Sequence, residues 1–128
     1  MSVTASVSGN IKVTDNLTGS TSLSKVLNNA YTGTVESYGQ SVIVGTAPDS
    51  ISIPVSPTQF VYVKNLSTTS GTTVTVTWTP NSGASSSIII LDPGALIIFS
   101  EVTTSNGISA LSLVSNQAGT PVEYILCG

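Results

Sequence analysis

Apolar and polar residues alternate most strictly between Thr72 and Thr79. Val74, Val76 and Trp78 fall on one side, and Thr73, Thr75, Thr77 and Thr79 on the other. A period of two belongs to an extended strand with one buried and one solvated face. Pro80-Asn81-Ser82-Gly83 then ends the strand with turn residues. Two continuous apolar runs follow, Ser87 to Leu91 and Ala95 to Phe99, separated by Asp92-Pro93-Gly94. Pro93 suits the second position of a type II turn and Gly94 the third, where φ must be positive. Because both runs are apolar without alternation, each strand is expected to be covered on both faces. One face would meet the core and the other a neighbouring segment or subunit.

The same kind of signal recurs at intervals of about ten residues, the spacing of a sandwich or barrel. Gln59 to Lys64 predicts a strand with Phe60 and Tyr62 on one face and Val61 and Val63 on the other. Ser41 to Val44 and Ile51 to Val55 are shorter candidates, and Ile108 to Val114 follows an Asn106-Gly107 hairpin signal. Pro121 to Cys127 places Val122, Tyr124 and Leu126 on one face. Seven or eight strands are thus expected between residues 41 and 127. The first forty residues are less regular. Val3 to Val7 and Ile11 to Thr14 look like strands joined at Gly9-Asn10, and Ser20 to Ala30 permits one helical turn through Leu23, Val26 and Leu27. Residues 1–40 are expected to form either an extended arm or two edge strands, and residues 41–128 the β-sandwich core of a single all-β domain.

Composition sharpens this picture. The chain has 128 residues, enough for one core without a disulfide framework or structural metal. Ser and Thr supply 40 residues, while only 7% of the chain is charged, against about a quarter in an ordinary soluble domain. A surface so poor in charge is kept in solution by hydroxyls or is covered by partners, and the second alternative predicts a subunit of an assembly. Lys12, Lys25 and Lys64 are the only basic residues. Three scattered lysines do not make the cationic footprint that displaces counterions from phosphates, so nucleic acid is not an expected partner. No window approaches the roughly 18 apolar residues that span a membrane, and MSVTASVSGNIKV lacks the basic opening of a secretory signal. Synthesis in a cytoplasm is the expectation.

Candidate chemistry is sparse. Without histidine, Ser/His/Asp and Cys/His arrangements are ruled out. Asp15, Glu36, Asp49, Asp92, Glu101 and Glu123 are the only carboxylates. Two of them would suffice for glycoside hydrolysis, but Asp49 and Asp92 lie beside prolines in turn contexts. Cys127 has no partner for a disulfide and reads as a small apolar residue ending a strand. No cofactor or metal is expected, and no enzyme. For sugar binding, Tyr31 and Tyr38 are the only loose rings, because Phe60, Trp78 and Phe99 read as core. Asn16-Leu17-Thr18 and Asn65-Leu66-Ser67 match the glycosylation pattern and are read as coincidental.

The stretch Phe60 to Phe99, FVYVKNLSTTSGTTVTVTWTPNSGASSSIIILDPGALIIF, resembles small structural proteins of tailed bacteriophages. The resemblance is carried by the strand ending in Lys64-Asn65-Leu66, the Thr/Val strand reaching Trp78, and Pro93-Gly94 before an apolar strand. Gly107 to Leu126 extends it to about half the chain. It implies an antiparallel β-sandwich of jelly-roll type that decorates or cements an icosahedral head, with the phage major capsid protein as partner. The scarcity of cations favours the outer capsid surface over contact with packaged DNA. A dimer or trimer is expected from the local symmetry axes of a capsid. Ile88, Ile89, Ile90, Leu91, Leu96, Ile97, Ile98 and Phe99 are the residues expected to serve as core and inter-subunit contact. The alternative is a tail, baseplate or head-fibre module that binds host glycans.

Overall fold

The computed structural model describes residues 3–14, 21–33, 37–53, 58–100 and 107–128. Ten strands run through them: β1 (Val3–Thr14), β2 (Thr21–Gly33), β3 (Ser37–Val44), β4 (Asp49–Ile51), β5 (Phe60–Asn65), β6 (Val74–Pro80), β7 (Ser87–Leu91), β8 (Leu96–Ser100), β9 (Ile108–Ser115) and β10 (Thr120–Cys127). No helix occurs among the described residues. β1 and β2 pair only with each other, as a two-stranded ribbon. The remaining eight form sheet I, in the order β3-β10-β5-β8, and sheet II, in the order β4-β9-β6-β7. Every pairing is antiparallel.

The pairs are nested about the turn between β6 and β7. β6 pairs with β7, β5 with β8, β4 with β9 and β3 with β10. The chain is in effect one long hairpin rolled up, and β10–β5 and β9–β6 pairing then closes the two sheets. This is the eight-stranded jelly roll, the sandwich architecture the sequence implies.

Alternation makes the core. Val61, Val63, Val122, Tyr124 and Leu126 of sheet I meet Val74, Val76, Leu91, Leu111 and Leu113 of sheet II. Burying such side chains contributes on the order of 1.5–3 kcal/mol each. Trp78 and Phe99 come from opposite sheets and pack half-buried against this cluster, ring centroids 5.3 Å apart and tilted by 34°. The turns follow the expected chemistry. Gly83 has φ +76° after Pro80, and Gly94 has φ +79° with the Ala95 amide donating to the Asp92 carbonyl at 2.9 Å. A side chain at either glycine would be strained, because the backbone there is already left-handed. The Asp92-Pro93-Gly94 turn does not make a hairpin, however. It carries the chain from sheet II to sheet I at the rim of the sandwich, because β7 and β8 are edge strands of different sheets.

Three expectations are corrected. Gly9-Asn10 does not break the first strand, because both residues are held in the β1–β2 ladder opposite Leu27 and Val26. The window expected to allow a helical turn is strand from Thr21 onward. Its backbone groups are taken by β1, and its Ser, Thr and Asn residues are weak helix formers. Gly107 precedes no hairpin with β8, since β9 pairs with β4 and β6. Asn106 itself lies outside the described residues; of the strand expected at 51–55 only Ile51 is in a strand, as the last residue of β4, Ser52 and Ile53 are not, and residues 54 and 55 lie outside the described residues.

Candidate interaction surfaces

Antiparallel register assigns each strand residue to a face. In sheet I the inward positions of β10 are Val122, Tyr124 and Leu126, which leaves Pro121, Glu123 and Ile125 outward. Their partners complete the outer face. One row across the sheet reads Gly39, Ile125, Tyr62, Ile98, and the next Ser41, Glu123, Lys64, Leu96. Ile43 lies opposite Pro121 beyond them. The outer face of sheet II is different. Ser50, Ser112, Thr77 and Ile88 form one row, and Val114, Thr75 and Ile90 another. The outer face of sheet II is therefore mostly hydroxyl-bearing, with Val114 half-buried in β9 and the exposed large apolar side chains confined to the β7 rim.

The eight residues expected to form core and contact are split among these surfaces. Leu91 is buried, and Ile89, Ile97 and Phe99 are half-buried against the core. Ile88 and Ile90 stand on the outer face of sheet II at 65% and 62% exposure, whereas Leu96 and Ile98, at 49% and 39%, stand on the outer face of sheet I. The two runs thus do have one face on the core and one outside it, but their outward residues look in opposite directions. Ile43, at 68%, and Ile125, at 37%, belong to the same exposed apolar group. Ile125 was readable from the alternation in Pro121 to Cys127. Ile43 was not, because Val42-Ile43-Val44 is apolar throughout.

The polar side chains are mostly used for structure. Asn65 is fully buried at the end of β5. Its amide donates to the carbonyls of Thr72 at 2.9 Å and Leu91 at 3.0 Å, and its Oδ1 accepts from the Ser67 amide at 3.0 Å. This geometry joins β5, the following loop and the end of β7, and leaves no room for a glycan on Asn65. Asn16-Leu17-Thr18 lies outside the described residues. Asn116 plays a similar part at the surface, accepting from the Thr73 amide at 2.9 Å and donating to the Gly71 carbonyl at 2.7 Å.

Of the carboxylates, Asp49 and Asp92 are exposed, Glu123 is half-buried, and Asp15, Glu36 and Glu101 lie outside the described residues. Glu123 Oε2 accepts from the Tyr62 hydroxyl at 3.1 Å. Burial, then the hydrogen bond to Glu123 and its negative charge, push the Tyr62 pKa up. Cys127 is buried, and burial pushes its thiol up as well. No group of three potential metal ligands occurs among the described residues. Tyr31 and Tyr38 have their backbones in β2 and β3.

A depression of about 340 Å³ lies beside β4, β6 and β9, lined by Ser50, Ile51, Ile53, Thr77, Thr79, Ser109, Ala110, Leu111 and Ser112. Its lining offers hydroxyls and small apolar groups and no ionisable side chain. Among the described residues, no helix is long and apolar enough to cross a membrane. Compared with protein-family models, curated proteins and solved structures, the chain finds no match in any of the three.

Proposed function

We propose that this protein is a non-catalytic structural subunit of a virus particle: a decoration or cement protein on the outer head surface of a tailed bacteriophage. The observation that carries the reading is the β7 rim. Ile88 and Ile90 stand more than three-fifths exposed on an edge strand of a folded sandwich, on a face whose other positions are mostly threonine and serine, with Val114 half-buried and Ala110 small. Covering such side chains contributes on the order of 1.5–3 kcal/mol apiece, so the rim favours a protein partner. The resemblance of Phe60 to Phe99 to phage virion proteins suggests the major capsid protein as that partner. Only three basic residues are present, which supports a place away from packaged DNA. The virion would be its site of action, after assembly in the host cytoplasm.

Counting copies in purified particles tests this directly. Hundreds per particle are expected, and a handful would overturn the head reading. Ile88→Glu with Ile90→Glu should strip the protein from particles while leaving the melting of the free protein within a few degrees. Retention at full occupancy would remove the rim from the contact. The competing tail, baseplate or fibre reading draws support from the hydroxyl-lined depression beside β4, which suits sugar hydroxyls. It expects low copy number and a signal on a glycan array.

A further inference from the structure

We infer that the outer face of sheet I is the contact of a two-fold dimer, in which a second copy of the chain lies face to face on the first with its strands running the same way. The contact lies on the opposite face of the sandwich from Ile88 and Ile90, and it stands whichever particle the protein decorates. Among the described residues, four of the six exposed large apolar side chains belong to this face: Ile43, Leu96, Ile98 and Ile125. A patch of this kind marks a contact, and the register shows what fits it.

A two-fold axis running along the strands, above the gap between β10 and β5, sets β10 of one copy over β5 of the other and β3 over β8, row for row. In the central row Glu123 of each copy then faces Lys64 of the other. The Tyr62 hydroxyl, donating to Glu123 at 3.1 Å, holds that carboxylate on the face. In the next row Ile125 comes over Tyr62. Size complements about the same axis. Gly39, Ser41 and Ile43 hold outward register positions of β3. The β8 column opposes them with Ile98, Leu96 and, just past the strand end, Gly94. A bulky residue therefore meets a small one three times: Ile98 over Gly39, Leu96 over Ser41, and Ile43 over Gly94. Gly94 has open space before it.

These two matches select a second copy as the occupant. A foreign surface would have to carry the same charge order and the same gradient of size, whereas the chain's own face, turned about this axis, has both. The alternative two-fold, across the strands through the central row, is disfavoured. It sets Glu123 on Glu123 and Lys64 on Lys64, and like charges brought together across an interface are costly. Area sets the strength. The face measures about 19 Å across its four strands and about 23 Å along them on average, so the contact covers on the order of 450 Å² per copy. The total of about 900 Å² is below the roughly 1,200 Å² at which standard interfaces begin, so the dimer is a weak one, with a dissociation constant in the micromolar range.

Sedimentation of the full chain from micromolar to submillimolar concentration should show the 13.0 kDa monomer passing to twice that mass. Lys64→Glu and Glu123→Lys should each raise the dissociation constant by roughly a hundredfold, because each sets like charges against one another across the axis. An equimolar mixture of the two should dimerise again, since each then offers the charge the other lacks. Misfolding of either variant could not give that rescue. Ile88→Glu should leave the dimer unchanged. Geometry supplies a second measurement. Ser41 and Leu96 lie on opposite edge strands of sheet I, three strand spacings or about 14 Å apart, beyond the roughly 7 Å that a disulfide spans. A chain with Ser41→Cys and Leu96→Cys in a Cys127→Ala background can therefore join these two cysteines only between copies. It should oxidise to a covalent dimer, and neither single cysteine should. A full chain monomeric throughout the concentration range would overturn the inference, and so would a mixture of the charge variants that stays monomeric. Capsid binding is read by Ile88 and Ile90 and dimerisation by Lys64 and Glu123, so either can fail alone.

Discussion

Replacing Asn65 by leucine keeps the branched outline of the side chain, with bulkier methyl groups, and removes all three of its hydrogen bonds. Each bond contributes about 1 kcal/mol net, and each buried carbonyl or amide left unpaired costs a further 1–3 kcal/mol. Because Asn65 is fully buried, solvent does not readily replace the lost amide at the Thr72 and Leu91 carbonyls. The expected loss is roughly 3–5 kcal/mol, or about 10–20 °C in melting temperature for a domain of this size. Urea unfolding followed by Trp78 is the assay. Trp78 is the sole tryptophan and packs on Phe99 of the opposite sheet, so its fluorescence reports separation of the sheets. Asn65→Asp adds a second reading. A carboxylate facing two carbonyls favours its protonated form, so its folded pKa rises above the unfolded value of about 3.9. The penalty is absent below that unfolded value and grows as pH rises through the folded pKa. The Asp variant should therefore recover stability relative to the parent on acidification towards pH 4, and the Leu variant should not. Asn116→Leu is the control, since its two bonds are exposed; it should cost under about 1 kcal/mol. A loss below about 1 kcal/mol for Asn65→Leu, or equal losses at Asn65 and Asn116, would refute the account.

Two further outcomes can be checked on the free protein. Tyr62 should ionise above the ordinary tyrosine range, and Glu123→Gln should bring it down, seen as a shift of one phenolate step in a 295 nm absorbance titration. Because the folded pKa is the higher one, the Tyr62 contribution to stability is complete below the unfolded pKa of about 10 and falls as pH rises through the folded value. Cys127 should resist thiol reagents in the native state and react at once in denaturant, since it is fully buried. Rapid native labelling would show that the end of β10 is open.

The legible parts of this fold are those where alternation is pure. In Thr72 to Thr79 and Pro121 to Cys127 the pattern sorted inward from outward residues correctly, apart from the half-buried state of Trp78 and the burial of Cys127 at an outward-parity position. In Ile88-Ile89-Ile90-Leu91 it could not, because every position is apolar. Ile88 and Ile90 face out only because Thr77 and Thr75 are their partners in β6, and pairing over that distance is not a local property. The same limit hid Asn65. Its partners are main-chain carbonyls 7 and 26 residues away, and a carbonyl leaves no trace in residue type. The long ribbon was partly legible: Val3, Ala5, Val7, Ile11 and Val13 keep one period, but Gly9 interrupts it and suggests a turn. Only the ladder, with Leu27 opposite Gly9, shows that the strand continues.

The nested pairing also sets an order of events during synthesis. The β6–β7 hairpin joins neighbouring stretches of chain, whereas Ser37 and Cys127 pair across about 90 residues. β3 is the first strand of the sandwich to leave the ribosome, and β10, its one pairing partner among the described residues, is the last of the eight. Loop closure disfavours such distant pairs until the inner ones exist. Sheet I can therefore be completed only after the strand that ends at Cys127 has emerged, and until then the backbone of β3 waits unpaired among other nascent chains of its own kind.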